Sequence, residues 1–366
     1  MKIELLKDHL EESLQIVSKV SNKNLSLPVL SCVVIVAEKN KTVLRATNLD
    51  ISVEVQLKAK IIEDGAVAVP ASLFSQTIQT TGDQKITLHG KENTLLLVSS
   101  HGEAKMNTLD VSEFPTLPFV KEGEGVAIQL PSKELVRALK TVSFAASGSG
   151  IRPELSSVFL KVNEGHLITA ATDSFRLAEI NLPIKNKETI DPVLIPVRNV
   201  QDIIRVIQKT DTTELRIAEN QITCISDGNY ITSRIIDGAF PEYQAVFPKD
   251  FVNTTTVLVE DLVKALRKVS VFTDTTGQIE IVSEVSKKHF SVRAINTQVG
   301  ETYDTLDAAL EGESLTTYFN VRYLLDALAV VSTDSVALKS AGAGKPMLVK
   351  EVPEKGFTYM VMPMNK

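Results

Sequence analysis

Apolar positions recur at helical spacing in six stretches of the chain, and these stretches form two alternating sets. The first set comprises 10–21 (LEESLQIVSKVS), 133–147 (KELVRALKTVSFAAS) and 260–273 (EDLVKALRKVSVFT), and the second comprises 69–83, 195–211 and 319–334. Within each stretch the apolar side chains lie three or four residues apart and share one face. This pattern predicts six amphipathic helices, each packing one face on a core.

Between the predicted helices, apolar and polar residues alternate with the period of a strand. The clearest examples are TVLRATNLDISVEVQL (42–57), HLITAATDSFRLAEINL (166–182) and HFSVRAINTQVGETYDTL (289–306). Each contains one alternating run before an Asn or Asp and another after it, which predicts two half-buried strands joined by a turn.

Equivalent residues of these stretches recur about 125 residues apart, as expected for an internal repeat. The residues that recur in this way are Ser18, Ser143 and Ser270 in the helices and Asn48, Asp173 and Asn296 in the turns. We therefore predict three tandem similar domains at residues 1–121, 122–247 and 248–366. Each would carry two helices and an antiparallel sheet, which is an α+β architecture.

The composition fits an ordinary globular protein with aliphatic cores. The 366 residues are 43% hydrophobic and 5% aromatic, with no Trp. The two cysteines, Cys32 and Cys224, are far apart and belong to no metal-binding pattern, so we expect buried thiols and no metal. The N-terminus carries charged residues in its first turns, and no apolar run reaches the length of a membrane span. We expect a cytoplasmic protein that does not bind membranes.

Common catalytic motifs are missing from the sequence. SAGAGKPM (340–347) looks like a phosphate loop, but Lys339 stands at the first glycine position and Pro346 replaces the metal-binding hydroxyl residue, so a hairpin turn is expected. The five histidines are isolated. We therefore predict a non-enzyme with no catalytic residues and no cofactor. An enzyme with a divergent site at Asp173 and Arg176 stays open, as does a structural or adaptor protein built from repeats.

Basic residues gather on one face of several predicted helices, although the chain has a net charge of −6. On 132–143, for example, Arg137 and Lys140 lie opposite Leu135 and Leu139. For any single helix, a basic face is explained by exposure to solvent. Because basic faces recur in an acidic chain, they favour one basic surface that binds a phosphate backbone. Such a surface would contact nucleic acid without sequence specificity. The residues predicted to face DNA are Lys19, Lys23, Arg137, Lys140, Arg198, Lys264, Arg267 and Lys268.

Several local strings occur in an order that resembles a known family. They are IRPELSSVFL (151–160), ATDSFRLA (171–178), IPVRNV (195–200), IDGAFPEY (236–243) and YMVMPM (359–364). Together with the three repeats, they resemble the bacterial sliding clamps, the β subunits of DNA polymerase III. The resemblance implies the DNA clamp fold and a head-to-tail homodimeric ring of six domains. Such a ring encircles double-stranded DNA, slides along it and acts as a processivity factor.

The resemblance also implies a hydrophobic groove between the second and third domains. There, the DNA polymerase III α subunit, the clamp loader, other polymerases and repair proteins bind through short Gln- and Leu-rich motifs. Ser174 and Phe175 stand where many members have Gly-His. By position, the implied groove residues are Arg152, Leu155, Thr172, Ser174, Phe175, Arg176, Leu177, Pro241, Val246, Met360, Val361, Met362, Pro363 and Met364.

Two further expectations concern the subunit interface and the C-terminus. By position, Met106, Leu109 and Phe272 are candidates for the dimer interface, with ordinary domain core as the alternative. The final strand is expected to place Tyr359 and Val361 on one face and Met360, Met362 and Met364 on the other. Regular pairing should stop at proline, which has no backbone N–H to donate.

Overall fold

The protein is described by a computed structural model, which covers residues 1–21, 27–38, 40–186 and 188–365. These residues contain six α-helices, two in each of the three repeats. Their bounds are α1 Lys7–Val17, α2 Ala71–Thr80, α3 Ser132–Val142, α4 Val197–Ile207, α5 Val259–Ser270 and α6 Val321–Leu328. Each helix falls on one of the six stretches in which apolar residues recur at helical spacing.

The strands between the helices are short and similar in number in the three repeats. The first repeat contains β1 Lys2–Leu6, β2 Cys32–Glu38, β3 Lys41–Thr47, β4 Ile51–Leu57, β5 Ala59–Glu63, β6 Gly65–Pro70, β7 Lys85–Lys91, β8 Thr94–Val98 and β9 Glu103–Asn107. The second contains β10 Val126–Pro131, β11 Ser157–Asn163, β12 His166–Thr172, β13 Arg176–Pro183, β14 Ile190–Pro196, β15 Thr212–Ala218, β16 Gln221–Ser226 and β17 Asn229–Arg234. The third contains β18 Asn253–Leu258, β19 Gln278–Glu284, β20 His289–Asn296, β21 Gly300–Leu306, β22 Ala308–Gly312, β23 Leu315–Asn320, β24 Ser335–Ser340, β25 Met347–Val352 and β26 Phe357–Val361.

The chain divides into two compact units, and the second repeat contributes to both. The first unit comprises residues 1–136 and 198–235, and the second comprises 137–197 and 236–366. The first unit contains a five-stranded sheet in the order β5-β1-β7-β8-β9 and an eight-stranded sheet in the order β10-β15-β16-β17-β4-β3-β2-β6. The second contains a nine-stranded sheet, β14-β11-β12-β13-β26-β25-β24-β18-β22, and a four-stranded sheet, β21-β20-β19-β23.

Strands from neighbouring repeats pair with each other inside both units. In the first unit β17 pairs with β4, with Ile231 opposite Val53. In the second unit β13 pairs with β26, with Leu177 opposite Met360. Both pairings are antiparallel, as are the others within the four sheets. Backbone hydrogen bonds therefore join the second repeat to the first in one unit and to the third in the other.

The helices cover the sheets with the faces that the apolar pattern predicts. In the first unit α1 packs on α2, β3 and β4, and in the second α5 packs on α6, β20 and β21. The buried face of α5 consists of Leu262, Ala265, Leu266 and Val269. The chain thus has the helix-on-antiparallel-sheet layers of an α+β protein.

The turn between paired strands is built in the same way in all three repeats. The Asn48 side chain accepts hydrogen bonds from the backbone N–H groups two and three residues further on, both at 3.0 Å. Asp173 accepts the equivalent pair at 2.9 and 3.0 Å, and Asn296 accepts one from Gln298 at 2.9 Å. A short polar side chain that bonds its own backbone explains why Asn or Asp recurs at this position.

Both cysteines are buried as free thiols. Burial raises the pKa of Cys32 to about 11 and that of Cys224 to about 12. Thiols with such pKa values carry little reactive thiolate near neutral pH. Among the described residues, no helix is long and apolar enough to cross a membrane, and no group of His, Cys, Asp and Glu side chains is arranged to hold a metal ion.

Candidate functional site

A row of four apolar or partly apolar side chains crosses the nine-stranded sheet of the second unit. Thr172 lies opposite Leu177, Leu177 lies opposite Met360, and Met360 lies opposite Leu348. Directly opposed residues of antiparallel strands point to the same face of a sheet. All four side chains are buried. They form a continuous floor that spans β12, β13, β26 and β25.

An aromatic segment stands over this floor and forms a wall. Tyr243, in the short 3-10 turn Tyr243–Val246, packs against Leu177, Leu348 and Met360. Its ring meets the ring of Phe240 edge-on at 5.7 Å and that of Phe247 at 6.1 Å between centroids. Edge-to-face contacts of this kind add to the energy of apolar burial. The segment from Phe240 to Phe247, here called the wall, is therefore packed against the sheet.

The wall is also tied to the sheet by a hydrogen bond from a tyrosine to a carboxylate. The Tyr243 hydroxyl donates to Glu179 Oε2 at 2.6 Å. Glu179 lies on β13 two residues after Leu177, so both side chains are on the same face. Burial raises the pKa of Glu179, against the lowering effect of the Tyr243 hydrogen bond and of Lys350. Burial together with the hydrogen bond from Tyr243 to Glu179 also raises the pKa of the tyrosine.

Apolar side chains next to this buried floor are open to solvent. Phe175 is 61% exposed, Val246 51% and Met362 38%, whereas Leu155 is only 6% exposed. Phe175 and Met362 are neighbours, because the Met362 N–H donates to the Phe175 carbonyl at 2.9 Å. Exposed apolar groups beside a packed apolar floor are typical of a site that a partner covers.

The C-terminal strand follows the predicted alternation as far as Val361. The Met360 side chain is part of the floor. The Tyr359 side chain lies on the other face of the sheet, and its hydroxyl donates to the Tyr323 carbonyl at 2.9 Å. Because β26 ends at Val361, the alternation does not extend to Met362 and Met364. The Met364 N–H instead donates to the Tyr318 carbonyl at 2.8 Å. Regular pairing thus stops before Pro363.

Ser174 adopts a backbone conformation that suits glycine. Its φ is +78°, and the equivalent residue of the first repeat, Leu49, has φ +76°. The Thr172 hydroxyl holds the turn, accepting from the Ser174 N–H at 3.1 Å and donating to the Arg176 carbonyl at 2.7 Å. A positive φ is costly for a residue other than glycine, and the hydrogen bonds of the turn offset that cost at Ser174.

The structure places the Arg176 side chain differently from the prediction. Arg176 adjoins Leu177 in the strand and so points to the opposite face. Its guanidinium donates to Asp173 Oδ2 at 2.9 Å and to Asp326 Oδ2 at 2.6 Å. It also lies 4.4 Å from the ring centroid of Tyr323. We therefore treat Arg176 as a support that ties helix α6 to the turn before β13.

Seven of the eight predicted DNA-facing residues lie within the described ranges, and they fall into three groups. Lys19, Lys140 and Arg267 are exposed and form no salt bridge with any residue in the described ranges. Other exposed members are paired with acids on the same surface: Lys264 with Glu260 at 2.5 Å, Lys268 with Asp304 at 3.0 Å and Arg198 with Asp50 at 3.0 Å. Lys23 lies outside the described residues.

Arg137 forms the third group by itself. Its side chain is 32% exposed and lies 3.9 Å from the buried carboxylate of Glu351. It donates to the Lys355 carbonyl at 3.0 Å. Since its guanidinium is committed to its own unit, we leave Arg137 out of the DNA-facing surface proposed below.

The three candidates for the subunit interface differ in exposure. Met106 is 3% exposed within its own chain, as the domain-core alternative expects. Leu109 is 37% exposed and Phe272 is half-buried. Met106 belongs to β9, which is an edge strand of its sheet, and β21 is an edge strand in the second unit. Tyr303 on β21 is 67% exposed.

Sequence reasoning missed the residues that build the wall, those that it packs against or bonds, and one residue of the floor. These are Phe159, Glu179, Phe240, Tyr243, Phe247 and Leu348. One signal was available, because FPEYQAVF (240–247) contains three aromatic residues in a chain that is only 5% aromatic. The contact from Glu179 to Tyr243 had no comparable signal, since it joins residues that are distant in the sequence.

Comparison with known proteins accounts for nearly the whole chain. Models of the DNA polymerase III beta subunit match residues 1–118 (N-terminal domain), 129–242 (central domain) and 244–365 (C-terminal domain). The chain is 29% identical to the beta sliding clamp of Synechococcus elongatus and 26% identical to that of Staphylococcus epidermidis. In both cases 100% of this chain and 99% of the relative are covered.

Solved structures show the same architecture. The Pseudomonas aeruginosa sliding clamp bound to griselimycin is 25% identical, with a TM-score of 0.93 and 100% of both chains covered. The Bacillus subtilis DNA polymerase sliding clamp, 24% identical, shares the fold with a TM-score of 0.93 over 100% of this chain and 99% of that one. Matches to all three domain models in order, together with full-length relatives, place this chain in the DNA polymerase III β-subunit family, the β sliding clamps.

Proposed function

We propose that this chain is a DNA sliding clamp, a ring-shaped processivity factor that acts in the cytoplasm. Two copies join head to tail, encircle duplex DNA and slide without reading its sequence. The observation that carries the proposal is the groove of the second unit. Its buried floor and exposed apolar rim are formed where β13 pairs with β26, and this chain belongs to a family of clamps.

The groove tethers partner proteins through short peptides. Its floor is made of Thr172, Leu177, Met360 and Leu348, and its rim includes Phe175, Val246 and Met362. Leu and aromatic side chains of a peptide would displace water from the exposed rim, and burial of this apolar surface is the main source of affinity in such a site. The proposed partners are the DNA polymerase III α subunit, the clamp loader, other polymerases and repair proteins that carry Gln- and Leu-rich motifs.

Exposed basic residues on the helices, or directly after them, face the DNA. Lys19, Lys140 and Arg267 are available for phosphate contacts, and we include Lys23 by its position in the sequence. Lys264, Lys268 and Arg198 form surface ion pairs, which contribute little to stability because solvent screens them, so these residues can exchange their partners for phosphate. Contacts of this kind are independent of base sequence, as sliding requires.

The ring closes through the free edges of two sheets. β9 ends the five-stranded sheet of the first unit and β21 ends the four-stranded sheet of the second. Their pairing between copies is a head-to-tail contact, which forms a ring when the rotation closes. Leu109, Phe272 and Tyr303 offer apolar surface for this contact. The expected species has twice the chain mass of 40.0 kDa, and Leu109→Asp should convert it to a monomer.

The alternative of an enzyme centred on Asp173 and Arg176 is disfavoured by their contacts. One carboxylate oxygen of Asp173 accepts two backbone N–H groups of its turn, and the other accepts from Arg176. Arg176 is also paired with Asp326. Both side chains are thus committed to holding the turn and helix α6. We therefore propose a non-catalytic function.

Primer extension tests the proposed function. A primed circular template is copied by a DNA polymerase III α subunit with and without this protein and a clamp loader. The proposal expects much longer products per binding event when both are present. Products of unchanged length would contradict it.

A further inference from the structure

A second row of side chains crosses the sheet next to the floor of the groove. Glu179 lies opposite Ala170 on β12 and opposite Thr358 on β26, and Thr358 lies opposite Lys350 on β25. This row is two residues along each strand from the floor row, so it faces the same side. Glu179 is therefore positioned beside the floor and under the wall.

Tyr243 connects this row to the wall. Its ring is 6% exposed and rests on Leu177 and Met360 of the floor. Its backbone N–H donates to the Pro241 carbonyl at 2.7 Å, which shapes the start of the 3-10 turn. The hydroxyl then reaches Glu179 at 2.6 Å. Within the described part of the chain, this is the side-chain hydrogen bond that ties residues 241–246 to the sheet.

We propose that Glu179 is a positioning residue for the groove: by accepting the Tyr243 hydroxyl, it fixes the wall relative to the floor and so sets the width of the pocket for an apolar side chain. The inference rests on the proposed peptide-binding function. Pro241 and Val246, two of the implied groove residues, flank Tyr243 in the wall. A shift of Tyr243 moves both, and the exposed rim moves with them.

The chemistry of the pair shows which replacement should preserve the geometry. The groups that face Glu179 are the Tyr243 hydroxyl from the wall and the Lys350 ammonium from β25. Lys350 is itself paired with Glu354 at 3.3 Å. Glu179 acts as a hydrogen-bond acceptor, and burial raises its pKa. Glutamine keeps an acceptor oxygen at the same reach, whereas leucine keeps the volume and has no acceptor.

Affinity for a fluorescein-labelled Gln- and Leu-rich peptide tests the proposal in four variants. Glu179→Leu and Tyr243→Phe should each weaken binding about tenfold, as expected for loss of one charge-assisted hydrogen bond. The double variant should bind about as well as either single variant, because both remove the same bond. Glu179→Gln should bind within about twofold of the unmodified protein, because glutamine keeps an acceptor oxygen for the Tyr243 hydroxyl. Glu179→Gln and Glu179→Leu both remove the charge, so a difference between them reports the hydrogen bond.

Hydrogen–deuterium exchange supplies a readout that does not need the peptide. In Glu179→Leu and Tyr243→Phe, exchange in residues 240–247 should be faster than in the unmodified protein. In Glu179→Gln it should be the same as in the unmodified protein. The matched control is Glu354→Leu, which removes a carboxylate that pairs with the same lysine but does not contact Tyr243. This control should leave both affinity and exchange unchanged. Tyr243→Phe removes a single oxygen, so it keeps the test valid if Glu179→Leu folds poorly.

The outcomes separate this proposal from the peptide-binding function on which it rests. If the unmodified protein binds the peptide, and Tyr243→Phe binds equally well with unchanged exchange in 240–247, the positioning role is refuted and the groove stands. If the unmodified protein does not bind the peptide, the groove assignment fails and the positioning role fails with it.

Discussion

Leu177 of β13 and Met360 of β26 lie directly opposite each other in adjacent antiparallel strands, although they belong to different repeats. Their pairing creates the floor of the groove, because each contributes a buried apolar side chain to the same face. The groove therefore exists only when the second and third repeats share a sheet. Backbone hydrogen bonds hold the two halves of this floor in a fixed register.

The terminal methionines should contribute strongly to peptide binding. In Met362→Ala with Met364→Ala, or after deletion of 362–366, we expect peptide affinity to fall at least about tenfold, because flexible apolar contact area is lost from the rim. Fluorescence anisotropy gives the affinity, and sedimentation should show that the oligomeric state is unchanged. Val126→Ala, at an exposed valine in the first unit, is the control. Unaltered affinity in the truncated protein would mean that the peptide binds elsewhere.

Arg176 should matter for stability. Arg176→Ala should lower the free energy of unfolding by about 2 kcal/mol, because Asp173 loses its partner in a largely buried pair while Asp326 is partly solvated. Arg176→Lys should recover part of this loss because it keeps the positive charge. Recovery should be incomplete, because an ammonium cannot engage both carboxylates with the planar geometry of a guanidinium. Urea unfolding measures both. The exposed Arg152→Ala is the control, expected within about 0.5 kcal/mol of the unmodified protein. Equal effects of the two alanine variants would refute the supporting role.

Glu179 should make stability depend on pH in a defined direction. Burial raises the pKa of Glu179 in the folded protein above its ordinary value, so the folded state binds this proton more tightly than the unfolded state. Stability is then lost as the pH rises through the raised pKa. Compared with Glu179→Gln, the unmodified protein should have the same urea midpoint near pH 4 and a lower one near pH 8. A constant difference across this range would contradict the raised pKa.

The exposed bases of the helices should control the salt dependence of DNA contact. Lys140→Glu and Arg267→Glu should each weaken binding to a duplex fragment and reduce the slope of log affinity against log salt by about 1. Titrations at several salt concentrations measure the slope. Lys345→Glu makes the same charge change at an exposed position in the turn between β24 and β25. An equal effect of Lys345→Glu would show that net charge, rather than the helical surface, governs the contact.

Much of the fold could be predicted because its signals are local and repeated. The apolar periodicity of the helix stretches and the Asn or Asp at the strand turns are fixed by neighbours within a few residues. Asn48 and Asp173 bond backbone groups two and three residues away. The turn at 340–347 is likewise a hairpin, with Gly342 and Gly344 at positive φ. Features of this kind can be read from one stretch of sequence.

The rest depends on contacts between distant parts of the chain. Strand alternation alone places the side chains of Arg176 and Leu177 on opposite faces of the sheet. The pairing of Arg176 with Asp326, however, requires helix α6 to be in place. The commitment of Arg137 to Glu351 and Lys355 has the same origin. The burial of Met106 and the bond between Tyr243 and Glu179 also follow from the tertiary fold. Charge and apolarity in the sequence do not show which partner a side chain will find.

Retention on closed DNA tests the central claim most directly. The protein is loaded onto nicked circular DNA with a clamp loader and ATP, and the complex is separated by gel filtration at a salt concentration that removes simple electrostatic binding. The DNA is then linearised with a restriction enzyme and filtered again. A ring that encircles DNA should stay with the circle and leave after linearisation. Equal loss from the circular and linear forms would contradict the sliding-clamp function.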